Sequence, residues 1–308
     1  MESRGGRTEG RLVRVVERIR DHAVGVYEVN GRRARVIPKD KGLGPIRVPP
    51  TQMAQPGDVV KVRLGVGKGL LSEGEGLTGE VSGSLGAPGE PSQEVLAVAY
   101  AEGFQDEFPP EAMDEADAVP LTVGDEDAGA EGRKDLRELP LVTIDGEDAR
   151  DFDDAVYARA EGAGWRLWVA IADVTHYVRP GSALDAEALR RATSVYLPDR
   201  VLPMLPERLS NGICSLRPDE DRLCMVAEMR FDKAARLAGF ELYPGVMRSA
   251  ARCTYGEVQG VLDGKDVPHR NAFRPQLETL WGLAQALTRM RKERGAIEFD
   301  LPETKIVL

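Results

Sequence analysis

The sequence has little cysteine. Only three cysteines occur in 308 residues, Cys214, Cys224 and Cys253, and no two of them have CxxC spacing. A disulfide framework needs paired cysteines, and a zinc site needs closely spaced Cys and His ligands. The sequence therefore argues against both, and it predicts a chain that works in a reducing compartment, the cytoplasm.

Long apolar runs are also missing. No stretch approaches the roughly 18 uninterrupted apolar residues that suggest a membrane span. The N-terminus, MESRGGRTEGR, lacks the apolar core of a secretory signal. We therefore expect no membrane partner. With 42% hydrophobic residues the chain can still bury a large core, and its length allows about two or three domains.

Basic residues are absent from one whole region. Residues 71–131 carry 16 Asp and Glu but no Lys or Arg, whereas residues 1–70 carry 15 Lys and Arg against 7 acids. Residues 132–308 are nearly neutral, with 26 bases and 28 acids. The net charge of −10 is therefore an average over a basic module, an acidic connector and a near-neutral body.

The basic module, residues 1–88, predicts a small all-β barrel of the OB or cold-shock type, because short β patterns alternate with Asn-Gly and Pro-Gly-Asp turns. The predicted strands are RLVRVVERI, AVGVYEV, RARVIP, VVKVRLGV and LTGEVSGSLG. Such barrels commonly bind single-stranded nucleic acid. Base stacking needs exposed aromatic residues, however, and Tyr27 is the only aromatic in residues 1–70. A spacer with a solvated basic face is the alternative.

Residues 89–138 predict a helical and acidic linker. Helices are expected over Pro91–Phe104 and over PPEAMDEADAV, because Pro and Ser or acidic residues open each pattern. The following segment, Gly124–Arg133, predicts a flexible, solvated loop that contains the acidic triplet Asp125–Asp127.

The run Asp145–Asp154, DGEDARDFDD, places six carboxylates around a single arginine. Like charges about 4 Å apart repel by about 1 kcal/mol in water and by about 4 kcal/mol near a protein surface. The run lies between LPLVTI and the predicted strands DAVYARA and WRLWVAIADV, which a turn at EGAG joins. Acids held between strands predict a bound cation, whereas an ordinary solvated charge run is the alternative.

The ligand types indicate a hard metal. No His or Cys lies in the run, which argues against zinc, and the EF-hand pattern fails because Ala149 and Arg150 stand at its fifth and sixth positions. Aspartates alone favour Mg²⁺, with Mn²⁺ as the other possibility. Two-metal carboxylate sites cleave phosphodiesters. Adjacent Asp153 and Asp154 point in opposite directions on an extended chain, so we expect them to play different roles.

Several long motifs occur in order from about Thr143 onward. They are TIDGEDARDFDDAV, WVAIADVTHYVRPGSALDAEA, TSVYLPDRVLPMLPERLSNGICSLRPDEDRLCMV and ARCTYGEV. Together they resemble the ribonuclease II family of processive 3′-to-5′ exoribonucleases. The resemblance implies an α+β fold, with a cold-shock-like barrel followed by the first half, residues 139–308, of a mixed α/β catalytic domain. It also implies magnesium-dependent hydrolysis of single-stranded RNA from its 3′ end to nucleoside 5′-monophosphates.

Carried over residue by residue, the resemblance makes Asp145, Asp151, Asp153 and Asp154 the metal-binding acids. Asp153 is expected to matter most for chemistry, together with Asp154. Tyr196 in SVYLP matches the family tyrosine that packs against the terminal nucleotide of the RNA. A half-buried strand aromatic is the alternative for this residue.

Four arginines are candidates for phosphate contact, because the guanidinium group forms a bidentate fork. They are Arg179, Arg217, Arg222 and Arg252. Each could equally be an ordinary surface or ion-pair residue. His176 follows a predicted strand, and a structural role is expected for it because metal-activated water needs no histidine base.

The sequence covers only part of the length of the family members it resembles. Family members continue beyond the part that corresponds to this chain, with an arginine-rich motif and a glutamate that complete the site, and a further RNA-binding barrel. Because such electrostatic groups are commonly worth several kcal/mol, we expect weak or no exonuclease activity from the chain alone, and the missing half of the catalytic domain as a partner. A non-catalytic RNA-binding fragment and an unrelated magnesium phosphohydrolase are the competing interpretations.

Overall fold

The chain forms two compact units in the computed structural model, which describes residues 2–4, 7–9, 22–65, 77–130, 132–297, 299 and 306. The first unit comprises Met1–Asp106, Tyr196–Leu202 and Lys305–Leu308. The second comprises Glu107–Val195 and Pro203–Thr304. The domain boundaries expected near residues 88 and 138 stay a prediction.

Among the described residues up to Asp106, the first unit contains seven strands. Its strands are β1 (Glu2–Arg4), β2 (Arg7–Glu9), β3 (His22–Asn30), β4 (Arg33–Pro38), β5 (Ile46–Val48), β6 (Val59–Leu64) and β7 (Gly79–Gly86). Strands β1 and β2 pair with each other, and the other five form an antiparallel sheet in the order β5-β4-β3-β6-β7. A bridge between Arg47 and Thr78 links the two edges, so this sheet curls into a barrel.

The barrel is held by small and β-branched side chains that alternate inward along the strands. Val36, Ile46, Val60 and Val62 are fully buried in it. Gly25 is required for close approach of the strands, since a Cβ there would lie 2.1 Å from the carbonyl oxygen of Ile37.

Four of the five strands predicted for the barrel are present. The fifth, Arg11–Ile19, lies outside the described residues, and β5 was not predicted because IRV is short and lies between prolines. Helix α1 (Pro91–Ala101) begins where expected but ends three residues early, followed by Gly103 with a φ of +92°.

The second unit is built on a seven-stranded mixed sheet. Its order is β16-β9-β10-β11-β14-β15-β8, with parallel pairs at the two edges. The strands are β8 (Lys134–Asp135), β9 (Val142–Asp145), β10 (Asp154–Glu161), β11 (Gly164–Ala172), β14 (Asp221–Phe231), β15 (Leu237–Arg248) and β16 (Ala251–Thr254). A separate short pair, β12 (Val195–Tyr196) and β13 (Val201–Leu202), includes the segment Tyr196–Leu202 that belongs to the first unit.

The β10–β11 hairpin confirms the predicted pair of strands joined at EGAG, with Glu161 opposite Gly164. Gly164 is needed there, because a Cβ would lie 2.0 Å from the carbonyl oxygen of Phe231 on β14. One face of the sheet forms the main core, in which the row Ala155, Ala170, Val226 and Tyr243 is buried.

Helices cover this sheet. They are α2 (Pro110–Ala118), α3 (Asp125–Ala128), α4 (Val174–Tyr177), α5 (Ala183–Arg191), α6 (Tyr255–Leu262) and α7 (Arg274–Glu293), with a π-helix at Arg208–Ile213 and a 3-10 turn at Asn271–Phe273. Glu115 of α2 accepts hydrogen bonds from the N–H groups of Ala183 and Leu184, which satisfies free donors at the start of α5. The α+β class is confirmed.

The end of the segment Gly124–Arg133 is not a solvated loop. Arg133 donates to Asp173 Oδ2 at 3.0 Å and to the Gly245 carbonyl at 2.8 Å, and both side chains of this ion pair are buried. The prediction was wrong here because this pairing joins residues forty positions apart. Within the described residues, no helix is both long and apolar enough to cross a membrane.

Candidate functional site

The acidic run forms a loop between two neighbouring strands. Asp145 is the last residue of β9, and Asp154 is the first residue of β10. These strands pair antiparallel, with Val142 opposite Val156, and β16 lies on the other side of β9 with Thr254 opposite Asp145. The acidic loop, Asp145–Asp154, is therefore bracketed by strands as the sequence predicted.

A buried phenylalanine anchors the loop. Phe152 is 7% exposed and belongs to the main core. Its N–H donates to Ser215 Oγ at 3.0 Å, and its carbonyl accepts from the N–H of Leu216 at 2.8 Å. Ser215, itself fully buried, donates to the Arg150 carbonyl at 2.9 Å. These contacts fix the backbone between Asp151 and Asp153.

The four predicted acids affect one another electrostatically. Burial raises the pKa of Asp145, and repulsion from Asp154 and Asp151 raises it further. The pKa of Asp153 is raised by loss of hydration and then by Asp151, Asp154 and Asp145, although part of its side chain is exposed. The charges of Asp145, Asp151, Asp153 and Asp154 are therefore coupled, and we call these four residues the carboxylate set.

The remaining two acids of the loop, Glu147 and Asp148, are exposed on its outer turn. They are not among the groups that shift the pKa of Asp145 or Asp153. This location agrees with their interpretation as solvated residues.

The carboxylate set fits a hard divalent cation by its chemistry. All its donors are oxygen atoms, which Mg²⁺ and Mn²⁺ prefer, and a cation would relieve the mutual repulsion that raises these pKa values. Among the described residues, however, no group of three or more His, Cys, Asp or Glu side chains is close enough to hold a metal as placed. The set thus has the composition and charge of a metal site, and its side chains must converge to bind one.

Arg252 contacts the loop directly. Its Nη2 donates to the carbonyl oxygen of Gly146 at 3.2 Å and to that of Glu147. Its guanidinium carbon lies 5.3 Å from the centre of the Phe152 ring. The positive charge of Arg252 also opposes the rise in the pKa of Asp145.

Arg222 is buried, at 2% exposure, and its guanidinium group bonds to protein atoms. It donates to the carbonyl oxygens of Ser215 at 2.8 Å and Asp221 at 2.9 Å, and it pairs with the Glu220 carboxylate. Arg222 thus supports the segment that anchors the loop, and its contact with RNA stays a prediction.

Arg179 and Arg217 are both exposed in the second unit, and Arg217 donates to the Asn211 carbonyl. Tyr196 belongs to the first unit, where it is 67% exposed at the start of the segment Tyr196–Leu202. Asp199 of that segment accepts a hydrogen bond from Ser92 of α1 at 2.6 Å. The RNA contacts of these three candidates stay predictions.

His176 has a partner in α3. Its Nε2 lies 3.3 Å from Asp127 Oδ1, and its ring meets the Tyr177 ring edge-on, with centres 4.8 Å apart. These contacts agree with the structural role expected from the sequence.

Two residues near the loop were not recognised from the sequence. Ser215 is 63 positions from Phe152, and nothing in its local sequence marks it as an anchor. Tyr255 is 65% exposed at the first position of α6, directly after Thr254, the partner of Asp145.

The barrel has a cleft lined by basic side chains. Arg32, Arg33, Arg35 and Arg47 line it together with the apolar residue Val29. Arg35 is paired with Glu28, at 2.7 Å. Tyr27 is 1% exposed, so it is not available for base stacking.

Comparison with known proteins defines the class. The RNB domain family matches residues 133–308, more than half of the chain, and this region contains the seven-stranded sheet and the acidic loop. Mycoplasma genitalium RNase R in complex with double-stranded RNA has a similar fold, with a TM-score of 0.83, 27% identity, and coverage of 97% of this chain and 53% of that one. Yeast Ssd1, described as a pseudonuclease, matches at a TM-score of 0.69 over 91% of this chain and 35% of its own, but at 17% identity it indicates the fold alone.

Sequence relatives define the family more narrowly. Ribonuclease R of Vibrio cholerae is 44% identical over 98% of this chain, and that of Escherichia coli is 46% identical over 99%. Ribonuclease R of Acidithiobacillus ferrooxidans is 43% identical over 97% of this chain and 68% of its own length. The chain belongs to the ribonuclease R family of RNB-domain proteins. It spans only 37% of the Vibrio cholerae relative and 38% of the Escherichia coli relative.

Proposed function

We propose that this chain is part of a magnesium-dependent exoribonuclease that hydrolyses RNA from the 3′ end and releases nucleoside 5′-monophosphates. The observation that carries the proposal is the carboxylate set, held on a backbone anchored at Phe152 in a chain of the ribonuclease R family. Related RNase R structures are described in complex with double-stranded and with single-stranded RNA, which supports RNA as the substrate.

In this proposal Asp145, Asp151, Asp153 and Asp154 hold the metal. Bound Mg²⁺ would supply charge neutralisation at the scissile phosphate and an activated water, as in two-metal phosphodiesterases. Asp153 and Asp154 act closest to the chemistry. Mn²⁺ is the alternative ion, because the same oxygen donors suit it.

RNA binding is assigned to two parts of the chain. Tyr196, with its exposed ring, packs against the terminal nucleotide, and Arg179 and Arg217 offer exposed charges to phosphates. In the barrel, the cleft arginines would hold the RNA backbone electrostatically, since Tyr27 is buried. Replacing Arg32 and Arg33 by Gln should then weaken binding to all sequences and reduce its salt dependence by about two phosphate contacts.

The test is digestion of 5′-labelled RNA with a single-stranded 3′ tail. It compares this chain with a chimera that continues with the remaining sequence of the Escherichia coli relative, in Mg²⁺, Mn²⁺ or Ca²⁺. We expect stepwise shortening from the 3′ end by the chimera and little by the chain alone, because its relatives are longer. Asp153→Asn should slow the chimera at least about 100-fold, since such electrostatic groups are worth several kcal/mol.

Asp127→Asn is the matched control, because it removes an acid from α3 and should change the rate less than about twofold. A chimera that binds RNA but does not shorten it would favour the second candidate, a non-catalytic RNA-binding protein. We also place the protein in the cytoplasm, a proposal supported by three cysteines that are buried and free.

A further inference from the structure

Arg252 lies on β16, the edge strand of the sheet. In the parallel register of β16 and β9, Arg252 is opposite Thr143, and Thr254 is opposite Asp145. The side chain of Arg252 therefore starts beside the strand that leads into the acidic loop. It is only partly exposed, and its Nε is buried.

The guanidinium group joins two parts of the loop that are separated along the chain. Its Nη2 donates to the Gly146 and Glu147 carbonyls at the start of the loop. The same group lies over the ring of Phe152, 5.3 Å from its centre, near the end of the loop. Because Phe152 stands between Asp151 and Asp153, this contact reaches the part of the loop that carries most of the carboxylate set.

An arginine suits this task better than a lysine. A planar guanidinium group can donate to carbonyls at its edge while its face lies over an aromatic ring. A lysine ammonium is a compact charge that can approach the carbonyls or the ring but cannot match both geometries. Arg252 makes both kinds of contact with one guanidinium group, at the two carbonyls and over the Phe152 ring.

We propose that Arg252 is a positioning residue: it straps the Gly146–Glu147 and Phe152 ends of the acidic loop together and so holds the backbone from which the carboxylate set binds metal. The proposal rests on the proposed function, since that function assigns the metal to these acids. It replaces the expectation that Arg252 contacts phosphate. Groups that orient metal ligands commonly change metal affinity 10- to 100-fold when they are removed.

The test measures Mn²⁺ binding to the 308-residue chain by electron paramagnetic resonance, without RNA. We expect about tenfold weaker affinity for Arg252→Met and an intermediate loss for Arg252→Lys. Arg248→Met is the matched control, because it removes an exposed arginine that pairs with Asp221, away from the loop contacts, and it should stay within twofold. Thermal unfolding of each variant reports whether the fold is intact.

A second readout needs no metal. Hydrogen exchange of the Ala149 and Phe152 amides should accelerate in both Arg252 variants, because these amides bond to Gly146 O and Ser215 Oγ inside the strapped loop. Arg252→Met and Phe152→Leu should each weaken Mn²⁺ binding by some factor. In the double variant the loss of affinity should be smaller than the product of the two factors, since each substitution removes the same contact.

Three outcomes would overturn the strap. The first is unchanged Mn²⁺ affinity in Arg252→Met, and the second is wild-type Mn²⁺ affinity in Arg252→Lys. The third is an Arg252→Met variant whose Mn²⁺ affinity and amide exchange are unchanged but whose RNA binding in EDTA is weaker. The last pattern would make Arg252 a phosphate ligand. If the wild-type chain binds no Mn²⁺ and Asp153→Asn changes nothing, the proposed function fails, and the exchange rates alone then decide whether the strap exists.

Discussion

Two acidic segments about twenty residues apart differ sharply in how the fold treats them. The triplet Asp125–Asp127 forms the exposed one-turn helix α3, where Asp127 meets His176. The acidic loop is held at Phe152, whose side chain enters the core. Density of charge is therefore a poor guide to a site. What distinguishes the loop is a backbone fixed firmly enough to keep like charges close together.

The largest effect is expected when the side chain that anchors the acidic loop, Phe152, is removed. Phe152→Ala should lower the free energy of unfolding by about 3 kcal/mol, because it leaves a cavity in the core. Leu121→Ala, near the triplet and 59% exposed, should change it by less than about 0.5 kcal/mol. Urea unfolding measures both. Equal effects would mean that the loop is no better anchored than the triplet.

A smaller loss of stability is expected when the Ser215 hydroxyl, which bonds to the loop backbone, is removed. Ser215→Ala removes the acceptor for the Phe152 N–H and the donor to the Arg150 carbonyl, which leaves buried polar groups unpaired. We expect a loss of about 2 kcal/mol in the free energy of unfolding. Ser210→Ala is the control, because its hydroxyl donates to the neighbouring Asn211 side chain at 3.3 Å, and the change should cost under about 0.5 kcal/mol. A Ser215→Ala loss as small as the control would remove Ser215 from the anchor.

The smallest expected effect is an increase in the free energy of unfolding. Burial and the acids around it raise the pKa of Asp145, so its negative charge opposes folding when no metal is bound. Asp145→Asn should therefore raise the free energy of unfolding by about 1 kcal/mol in EDTA. Asp125→Asn in the triplet should leave it nearly unchanged.

In saturating Mg²⁺ the wild-type chain should become more stable than Asp145→Asn, because an ion that binds only the folded state stabilises the wild-type chain. Calorimetry with and without Mg²⁺ measures both effects. A less stable Asp145→Asn variant in EDTA would contradict the electrostatic account of the loop.

Local patterns predicted the elements around the site well. The β10–β11 hairpin and the start of α1 were confirmed, because turn glycines and a helix-opening proline act on their immediate neighbours. The long strands β14 and β15 and the short β5 were not predicted. Partners elsewhere in their sheets, such as Phe231 opposite Trp165, decide those strands.

The same distinction holds within the candidate site. The four acids were identified from their spacing and from family resemblance, and in the fold Asp145 and Asp153 have pKa values raised by other acids of the set. Arg222 and Arg252 were selected as phosphate contacts because arginine suits phosphate. In the fold their partners include backbone carbonyls up to 106 positions away, which residue type alone cannot indicate.

Charge and β-propensity are properties of consecutive residues, so the sequence alone predicts six acids between two strands. Which of these acids raise one another's pKa depends on the fold. Phe152 enters the core, Ser215 meets its backbone, and Arg252 reaches across from β16. Burial and hydrogen bonding join residues that are distant along the chain, and those contacts hold the backbone that carries the carboxylates.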